Sequence, residues 1–315
     1  MATVFVSGTL PGDGVARLRA VHQVVQSDDG IRSEAFASCR AEVEGVVALL
    51  TDRIDAAFLA ATPHVRVVSN VAVGIDNVDL AACRARGVIV TNTPGVLTEA
   101  TADLAFGLVL AAARRIAEGD RLVRAGGFTR WTPMFMLGSR VHGTTIGIVG
   151  MGRIGQAVAR RARGFDMTVL YTQRERLGEV AERRLDASYV ELDELVERAD
   201  VVSLHCPLTS ETRHMFDARR LGRMRPGSIL VNTARGPIVD EAALAHALEH
   251  GPLGAAGLDV FEREPAVHPA LLARPNAVLV PHIGSADRIA REAMASCAID
   301  NVIEVLGGRA PITPV

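Results

Sequence analysis

Three short stretches in the last third of the chain carry complementary chemistry: Asn232-Thr233-Ala234-Arg235-Gly236, Glu264-Pro265, and Pro281-His282-Ile283-Gly284-Ser285. They supply a guanidinium, a carboxylate and an imidazole. A guanidinium clamps a planar carboxylate through two parallel hydrogen bonds. An imidazole moves a proton near neutral pH, and a neighbouring carboxylate orients it and favours its charged form. A lone histidine is usually structural, and most surface arginines do nothing specific. Here each residue follows a β-branched run that reads as a strand end, where open α/β sheets bind ligands. Arg235, Glu264 and His282 are therefore read together as one catalytic set.

Upstream lies Ile146-Gly147-Ile148-Val149-Gly150-Met151-Gly152-Arg153-Ile154-Gly155. A bare glycine triplet is weak, because glycine turns often only let a helix pack close to a strand. The strand–turn–helix flanks match the dinucleotide fingerprint. Gly150 makes the turn, Gly152 admits a pyrophosphate to the backbone, and Gly155 admits the helix. The helix start at Arg153 and Ile154 offers free N–H groups to phosphates. The next strand, Met167 to Thr172, ends where a ribose would lie. An NAD-preferring site places an acid there, but this chain has Thr172-Gln173-Arg174. A neutral pair followed by a guanidinium favours NADP(H), with NAD(H) still possible. An acid clamp, a proton donor and a dinucleotide together equip a site to reduce a 2-oxo acid with hydride.

These groups require a scaffold of alternating strands and helices. Strands are expected at Thr3–Ser7, Gln23–Gln26, Gly45–Leu50, Val65–Asn70, Val88–Thr91, Thr145–Val149, Thr168–Thr172, Val201–Leu204, Ser228–Asn232, Ala255–Asp259 and Ala277–Val280. Amphipathic segments fall between them, including Ser33–Arg40, Ile54–Ala61, Ile154–Arg163 and Glu241–His250. After the turn cluster Asn92-Thr93-Pro94-Gly95, Thr98 opens one long helix expected to reach about Glu118. A last helix runs from Ala286 to Leu306 and stops at Gly307-Gly308. Near-continuous apolar strands separated by helices imply parallel sheets covered on both faces. The fold class is α/β, with two doubly wound, Rossmann-like units of unequal size.

Bulk properties narrow the function further. At 315 residues, two domains fit better than one core. Hydrophobic residues make up 49% and charged residues 22%, and the net charge is −2, which argues against nucleic acid or anionic lipid as a partner. Cys39, Cys83, Cys206 and Cys297 are scattered, as expected of reduced thiols in a cytoplasmic protein. Met1-Ala2-Thr3 leads straight into a strand pattern rather than a secretory leader. The chain has no lysine, which removes Schiff-base chemistry and a Walker-type phosphate lysine. No zinc motif or nucleophile elbow is present, and no metal is expected. His205-Cys206-Pro207 offers a metal pair or a thiol nucleophile on paper. Following a strand, Cys206 and Pro207 read better as lining a cofactor cleft.

As a set, Val73-Gly74-Ile75-Asp76-Asn77-Val78-Asp79, the glycine loop, Thr233-Ala234-Arg235-Gly236, Asp259-Val260-Phe261-Glu262-Arg263-Glu264-Pro265 and Pro281-His282-Ile283-Gly284-Ser285 are highly specific. Over nearly its whole length the chain resembles the D-isomer-specific 2-hydroxy-acid dehydrogenases, particularly their glyoxylate/hydroxypyruvate reductase branch. The resemblance implies an outer, flavodoxin-like substrate domain discontinuous in sequence, 1–97 with 285–315, and an NAD(P)-binding domain over 98–284. It implies a homodimer built through the cofactor domains, acting on a small 2-oxo or 2-hydroxy acid. Arg235 would bind the substrate carboxylate and polarise the 2-oxo group. His282 would give the proton and Glu264 would hold the imidazole. The N–H groups of Val73 and Gly74 would complete the carboxylate cradle, and Trp131 would reach the neighbouring subunit's cleft. Asp259 and Thr101 would meet the nicotinamide end. Thr212, Thr233, Ala234, His282 and Gly284 would line the remaining cofactor surface.

Other readings stay open. Formate dehydrogenases resemble this family but carry glutamine where Glu264 stands. Phosphite oxidation and reduction of a sugar-derived acid such as 2-ketogluconate fit the same motifs. So does a dinucleotide-sensing, corepressor-like binding protein.

Overall fold

The computed structural model describes residues 1–315. The chain divides into two compact units, one formed by Met1–Leu97 with Ser285–Val315 and the other by Thr98–Gly284.

The first unit holds five parallel strands, β1 (Thr3–Ser7), β2 (Gln23–Ser27), β3 (Val43–Ala48), β4 (Val67–Asn70) and β5 (Ile89–Thr91), in the order β2-β1-β3-β4-β5. Strands this apolar are stable only with both faces covered. Phe5, Val46, Ala48 and Val68 pack on Phe36, Phe58 and Leu59 on one side. The helix Arg288–Leu306 buries Met294, Ala298, Ile299 and Val302 in the same unit. Side-chain oxygens of Ser33, Asp55, Asp79 and Asp287 accept N–H groups at helix starts, which satisfies donors the helix leaves unpaired.

The second unit holds seven parallel strands: β6 (Thr145–Val149), β7 (Thr168–Thr172), β8 (Ala187–Tyr189), β9 (Val201–Leu204), β10 (Ile229–Asn232), β11 (Ala255–Leu258) and β12 (Ala277–Leu279). Their order is β12-β11-β10-β9-β6-β7-β8, so the direction of winding reverses between β6 and β9. That switch point is where doubly wound sheets open a crevice for ligands. Alternation sorts the strands between two cores: Ile146, Ile148 and Val231 face the helices Thr98–Ala113 and Arg153–Arg163, while Val149, Val202 and Leu230 face Leu195, Leu221 and Leu244. Each fully buried side chain of this size stabilises by roughly 1.5–3 kcal/mol.

The parallel α/β class agrees with the sequence reading, and two elements differ. Strand β8 is absent from the sequence reading, because Ala187-Ser188-Tyr189 is a three-residue edge without a β-branched run. The expected helix from Thr98 to about Glu118 is two helices, Thr98–Ala113 and Ile116–Arg124. Arg115 adopts φ 54° between them, and the Ala113 carbonyl accepts from Ser139 N–H at 2.8 Å. A loop 26 residues away in sequence, at Ser139 against Ala113, therefore ends the first helix. No helix is long and apolar enough to cross a membrane.

Candidate active site

Three adjacent strands deliver the three candidate side chains. β10 ends at Asn232, and its side chain shapes the turn that follows: Oδ1 accepts from Ala234 N–H at 3.0 Å and Nδ2 donates to the Arg235 carbonyl at 2.9 Å. Arg235 emerges half-buried, with Nη1 donating to the Ala234 carbonyl at 2.8 Å. Gly236 then lies against the next strand's loop so closely that a Cβ would sit 1.9 Å from the Phe261 carbonyl carbon. Only glycine permits that approach. It presses the Arg235 turn onto the loop that carries Glu264.

That loop leaves β11 through Asp259. Glu264 Oε1 accepts from Phe261 N–H at 3.0 Å, and Oε2 meets His282 Nδ1 at 2.8 Å. Both side chains keep about 30% exposure, 28% for His282 and 30% for Glu264. Burial pushes the Glu264 carboxyl up. The His282 hydrogen bond, the Phe261 N–H and the charges of His282 and Arg235 outweigh it and hold the group below the usual carboxylate range. With Nδ1 engaged, Nε2 is the ring nitrogen left for a reacting partner.

His282 follows β12 with φ 52°, a left-handed conformation that costs energy for a non-glycine residue. Asp259 holds it there. The Asp259 carbonyl accepts His282 N–H at 2.9 Å, while Oδ1 accepts from Ile283 N–H at 2.6 Å and Oδ2 from Gly284 N–H at 2.8 Å. Burial raises the Asp259 carboxyl more than those N–H groups lower it. Both carboxylate oxygens are thus committed to the backbone of the His282 turn. Thr101, 5% exposed, lies beside the same turn, its Cγ2 3.5 Å from where a Gly284 Cβ would be.

A second brace was not legible in the sequence. Glu262 N–H donates to Glu241 Oε1 at 2.7 Å, Glu241 N–H donates to Glu262 Oε1 at 2.8 Å, and Glu262 Oε2 meets His214 Nε2 at 3.2 Å. It ties the start of helix Glu241–His250 to the Glu264 loop. The only sequence signal was an acid in the first turn of a helix capped by Asp240. His268 is a local structural residue, its Nδ1 accepting from Ala270 N–H.

The glycine loop sits at the switch point. Gly150 has φ 94°, and a Cβ there would lie 2.8 Å from the backbone of His205 and Cys206. At Gly155 a Cβ would meet the Gly150 carbonyl oxygen at 2.1 Å. At Gly152, the residue before helix Arg153–Arg163, a Cβ would meet nothing within 4 Å. The first N–H groups of that helix, at Arg153 and Ile154, border this open space. Thr233, 9% exposed, has a buried hydroxyl without a partner in the protein.

At the end of β7, Thr172 is buried and its carbonyl accepts from Gly150 N–H. Gln173 spends its side chain internally, Oε1 accepting from Met151 N–H at 3.0 Å and Nε2 donating to the Glu175 carbonyl at 2.6 Å. Arg174 is exposed. Past β9, Thr212 Oγ1 donates to the Pro207 carbonyl at 2.7 Å and so closes the turn after Cys206. Burial pushes the Cys206 thiol up to about 11, which leaves no thiolate for nucleophilic attack at neutral pH. His205 Nε2 bonds Ser203 Oγ at 2.8 Å, and no three His, Cys, Asp or Glu side chains converge on a metal position.

In the other unit, Val73 and Gly74 follow β4. The Val73 carbonyl accepts from Asn92 Nδ2 and the Gly74 carbonyl from Asn70 Nδ2, each at 2.8 Å. Trp131 is 69% exposed within Gly126–Arg140.

Residues 106–284 match the D-isomer specific 2-hydroxyacid dehydrogenase, NAD binding domain family. The chain is 46% identical to the glyoxylate reductase of Thermococcus onnurineus over 99% of its own length and 95% of the relative's. The chain belongs to the D-isomer-specific 2-hydroxyacid dehydrogenases. Among solved members, the glyoxylate reductase from Paecilomyes thermophila superposes with a TM-score of 0.90 at 33% identity, covering 100% of this chain and 98% of that one. The NADPH-dependent glyoxylate/hydroxypyruvate reductase of Sinorhizobium meliloti, solved with NADP and malonate, gives 0.86 at 34%, covering 100% and 96%. As a 2-hydroxyacid dehydrogenase the protein is an NAD(P)-dependent oxidoreductase.

Proposed function

We propose that this dehydrogenase reduces a small 2-oxo acid of the glyoxylate or hydroxypyruvate type to the D-2-hydroxy acid, with NADPH preferred over NADH. The observation that carries the reading is the His282–Glu264 pair at 2.8 Å, set beside Arg235 on three adjacent strand ends. The relatives called glyoxylate reductase support the substrate class.

The residues present suit a dinucleotide. Open space at Gly152, a helix N-terminus behind it and the unpartnered Thr233 hydroxyl are what a pyrophosphate and its neighbours need. Gly152, Arg153 and Ile154 would hold the pyrophosphate, and Arg174 the 2′-phosphate. Bound NADPH supplies the hydride. Arg235 clamps the substrate carboxylate and draws charge from the 2-oxo oxygen. His282 Nε2 delivers the proton to that oxygen as the C–O double bond becomes an alcohol, and Glu264 balances the imidazole charge. Unit Thr98–Gly284 serves as the dinucleotide domain. The other unit serves as the substrate domain.

We also read Ile116–Leu137 as the contact with a second copy. Ile116, Val123, Phe128, Trp131, Met134 and Leu137 are each more than half exposed, between 54% and 77%. So dense an apolar stretch marks an interaction surface, and sedimentation would report a dimer.

The decisive experiment follows NADPH and NADH oxidation with glyoxylate, hydroxypyruvate, pyruvate and 2-ketogluconate. Fastest turnover is expected with NADPH and one of the first two acids. Better turnover of the sugar acid would move the substrate class, and no oxidation of either cofactor would leave a sensing role.

A further inference from the structure

The loop that carries Arg174 is held by a polar assembly, buried at Tyr171 and Glu182 and open to solvent at Arg176, that the reaction does not use. Tyr171, near the end of β7, is fully buried. Its hydroxyl donates to Glu182 Oε1 at 2.6 Å and accepts from Leu177 N–H at 2.9 Å. Glu182, 8% exposed on helix Glu179–Leu185, also takes Arg176 on both oxygens, Nε on Oε1 and Nη2 on Oε2, each at 2.8 Å. The Arg176 guanidinium lies 5.9 Å from the centre of the Tyr189 ring. Pairing with Arg176 first, and then the Tyr171 hydroxyl, drives the Glu182 carboxyl down to about 2. Burial first, and then Glu182, pushes the phenol up to about 12. Neither group changes charge at any pH where the enzyme would work.

Burying a carboxylate and a phenol costs desolvation that apolar packing would avoid, and such pairs contribute specificity of geometry more than stability. Here the geometry is that of a short loop tied at both ends. Gln173 fastens its start to Met151 N–H of the glycine loop, and Tyr171 fastens its end at Leu177. Between the two ties, Arg174 and Glu175 are exposed. Arg176 is committed to Glu182, so Arg174 is the loop's remaining guanidinium. Glu211, on the turn after β9, is lowered mainly by the Thr209 side chain and in smaller part by the Arg174 charge.

We infer that the Tyr171–Glu182–Arg176 clamp sets cofactor choice by fixing the path of the Gln173–Leu177 loop, so that Arg174 meets the 2′-phosphate of NADP(H). Tyr171, Glu182 and Arg176 are then positioning residues for specificity. The inference rests on the reading of Arg174 as the phosphate partner.

The test compares kcat/KM for NADPH and NADH in the full-length protein with glyoxylate as substrate. Glu182→Gln keeps the side chain's shape and removes the charge that Arg176 needs. It is expected to lower kcat/KM for NADPH by about three- to tenfold, mainly through KM, while NADH changes by less than about twofold. Tyr171→Phe removes only a hydroxyl and should move the same ratio in the same direction, by about two- to threefold; it serves if Glu182→Gln does not fold. An unchanged NADPH/NADH ratio, with only a lower melting temperature, would make the clamp purely structural and overturn the inference. A higher ratio would overturn it too, by showing that freed Arg176 binds the phosphate better than Arg174 does. Arg174→Ala separates the layers. If it abolishes a wild-type NADPH preference while both clamp variants keep that preference, the inference fails alone. If the wild type has no such preference, the cofactor reading and the clamp fall together.

Discussion

Two glycines three residues apart, one capping helix Arg153–Arg163 and one in its first turn, make opposite predictions. At Gly152 the backbone sits at φ −75° and ψ −161°, extended geometry open to any residue, and a Cβ would meet nothing within 4 Å. At Gly155 a Cβ would lie 2.1 Å from the Gly150 carbonyl oxygen and 3.1 Å from Ile148 Cγ2. Gly152→Ala should therefore leave the cofactor-free fold intact. The loss of a glycine at the helix start and the gain from a stiffer unfolded chain are each about 1 kcal/mol or less and oppose one another. Its methyl group projects into the space assigned to the pyrophosphate. Losing one charge-assisted hydrogen bond there costs about 1.5–3 kcal/mol, so NADPH should bind about 10- to 100-fold more weakly. Turnover at saturating NADPH should stay near wild type, because Arg235 and His282 stand on other strands. Gly155→Ala should do the reverse, destabilising the free protein by roughly 1–3 kcal/mol or more through overpacking against a rigid carbonyl. Thermal unfolding without cofactor, paired with NADPH titration by calorimetry, reads both quantities. Wild-type NADPH affinity in Gly152→Ala would refute the assignment of this loop to the pyrophosphate.

Three further outcomes follow from the same geometry. His282→Ala should lose about 10²–10⁴-fold in turnover yet keep NADPH affinity, which stopped-flow binding and steady-state assays would separate. Arg235→Lys should damage both KM and kcat, since a point ammonium cannot reproduce a two-pronged clamp; a change in KM alone would reduce Arg235 to an anchor. Burial pushes His205 down to about 4, whereas the unfolded chain takes up its proton near the ordinary value of about 6.5. Stability from this residue is therefore complete above pH 6.5 and declines as pH falls toward 4, by at most about 3 kcal/mol. Denaturant melts from pH 7.5 to 4.5 should show that decline, and His205→Gln should flatten it; equal slopes would assign it to another group.

What the sequence made legible and what it hid divide along a physical line. Thr145–Val149, Thr168–Thr172 and Val201–Leu204 are apolar, β-branched runs bounded by polar residues, and the strands occupy the expected positions. Ala187–Tyr189 carries no such pattern, because an edge strand is recruited by its neighbour rather than by its own residues. The break at Arg115 is equally silent: no Pro lies between Thr98 and Glu118, the one Gly, Gly107, sits inside the first helix, and the helix ends where Ser139 claims the Ala113 carbonyl. The site divides in the same way. Arg235, Glu264 and His282 stand out because glycine and proline bracket them where a strand stops. Glu241, Glu262 and Glu182 look like ordinary acids, yet each bonds an N–H group or an arginine that the fold, and not the spacing, brings within 3 Å, and the grip of Asp259 on the His282 turn is equally unmarked in the sequence. Groups that react must stand exposed at strand ends, where their flanks betray them. Groups that hold them are recruited from whichever element packs behind, and buried carboxylates suit that task because one carboxylate can accept two backbone donors at once. Substitutions at Asp259 or Glu262 should accordingly alter kinetics without any contact to substrate.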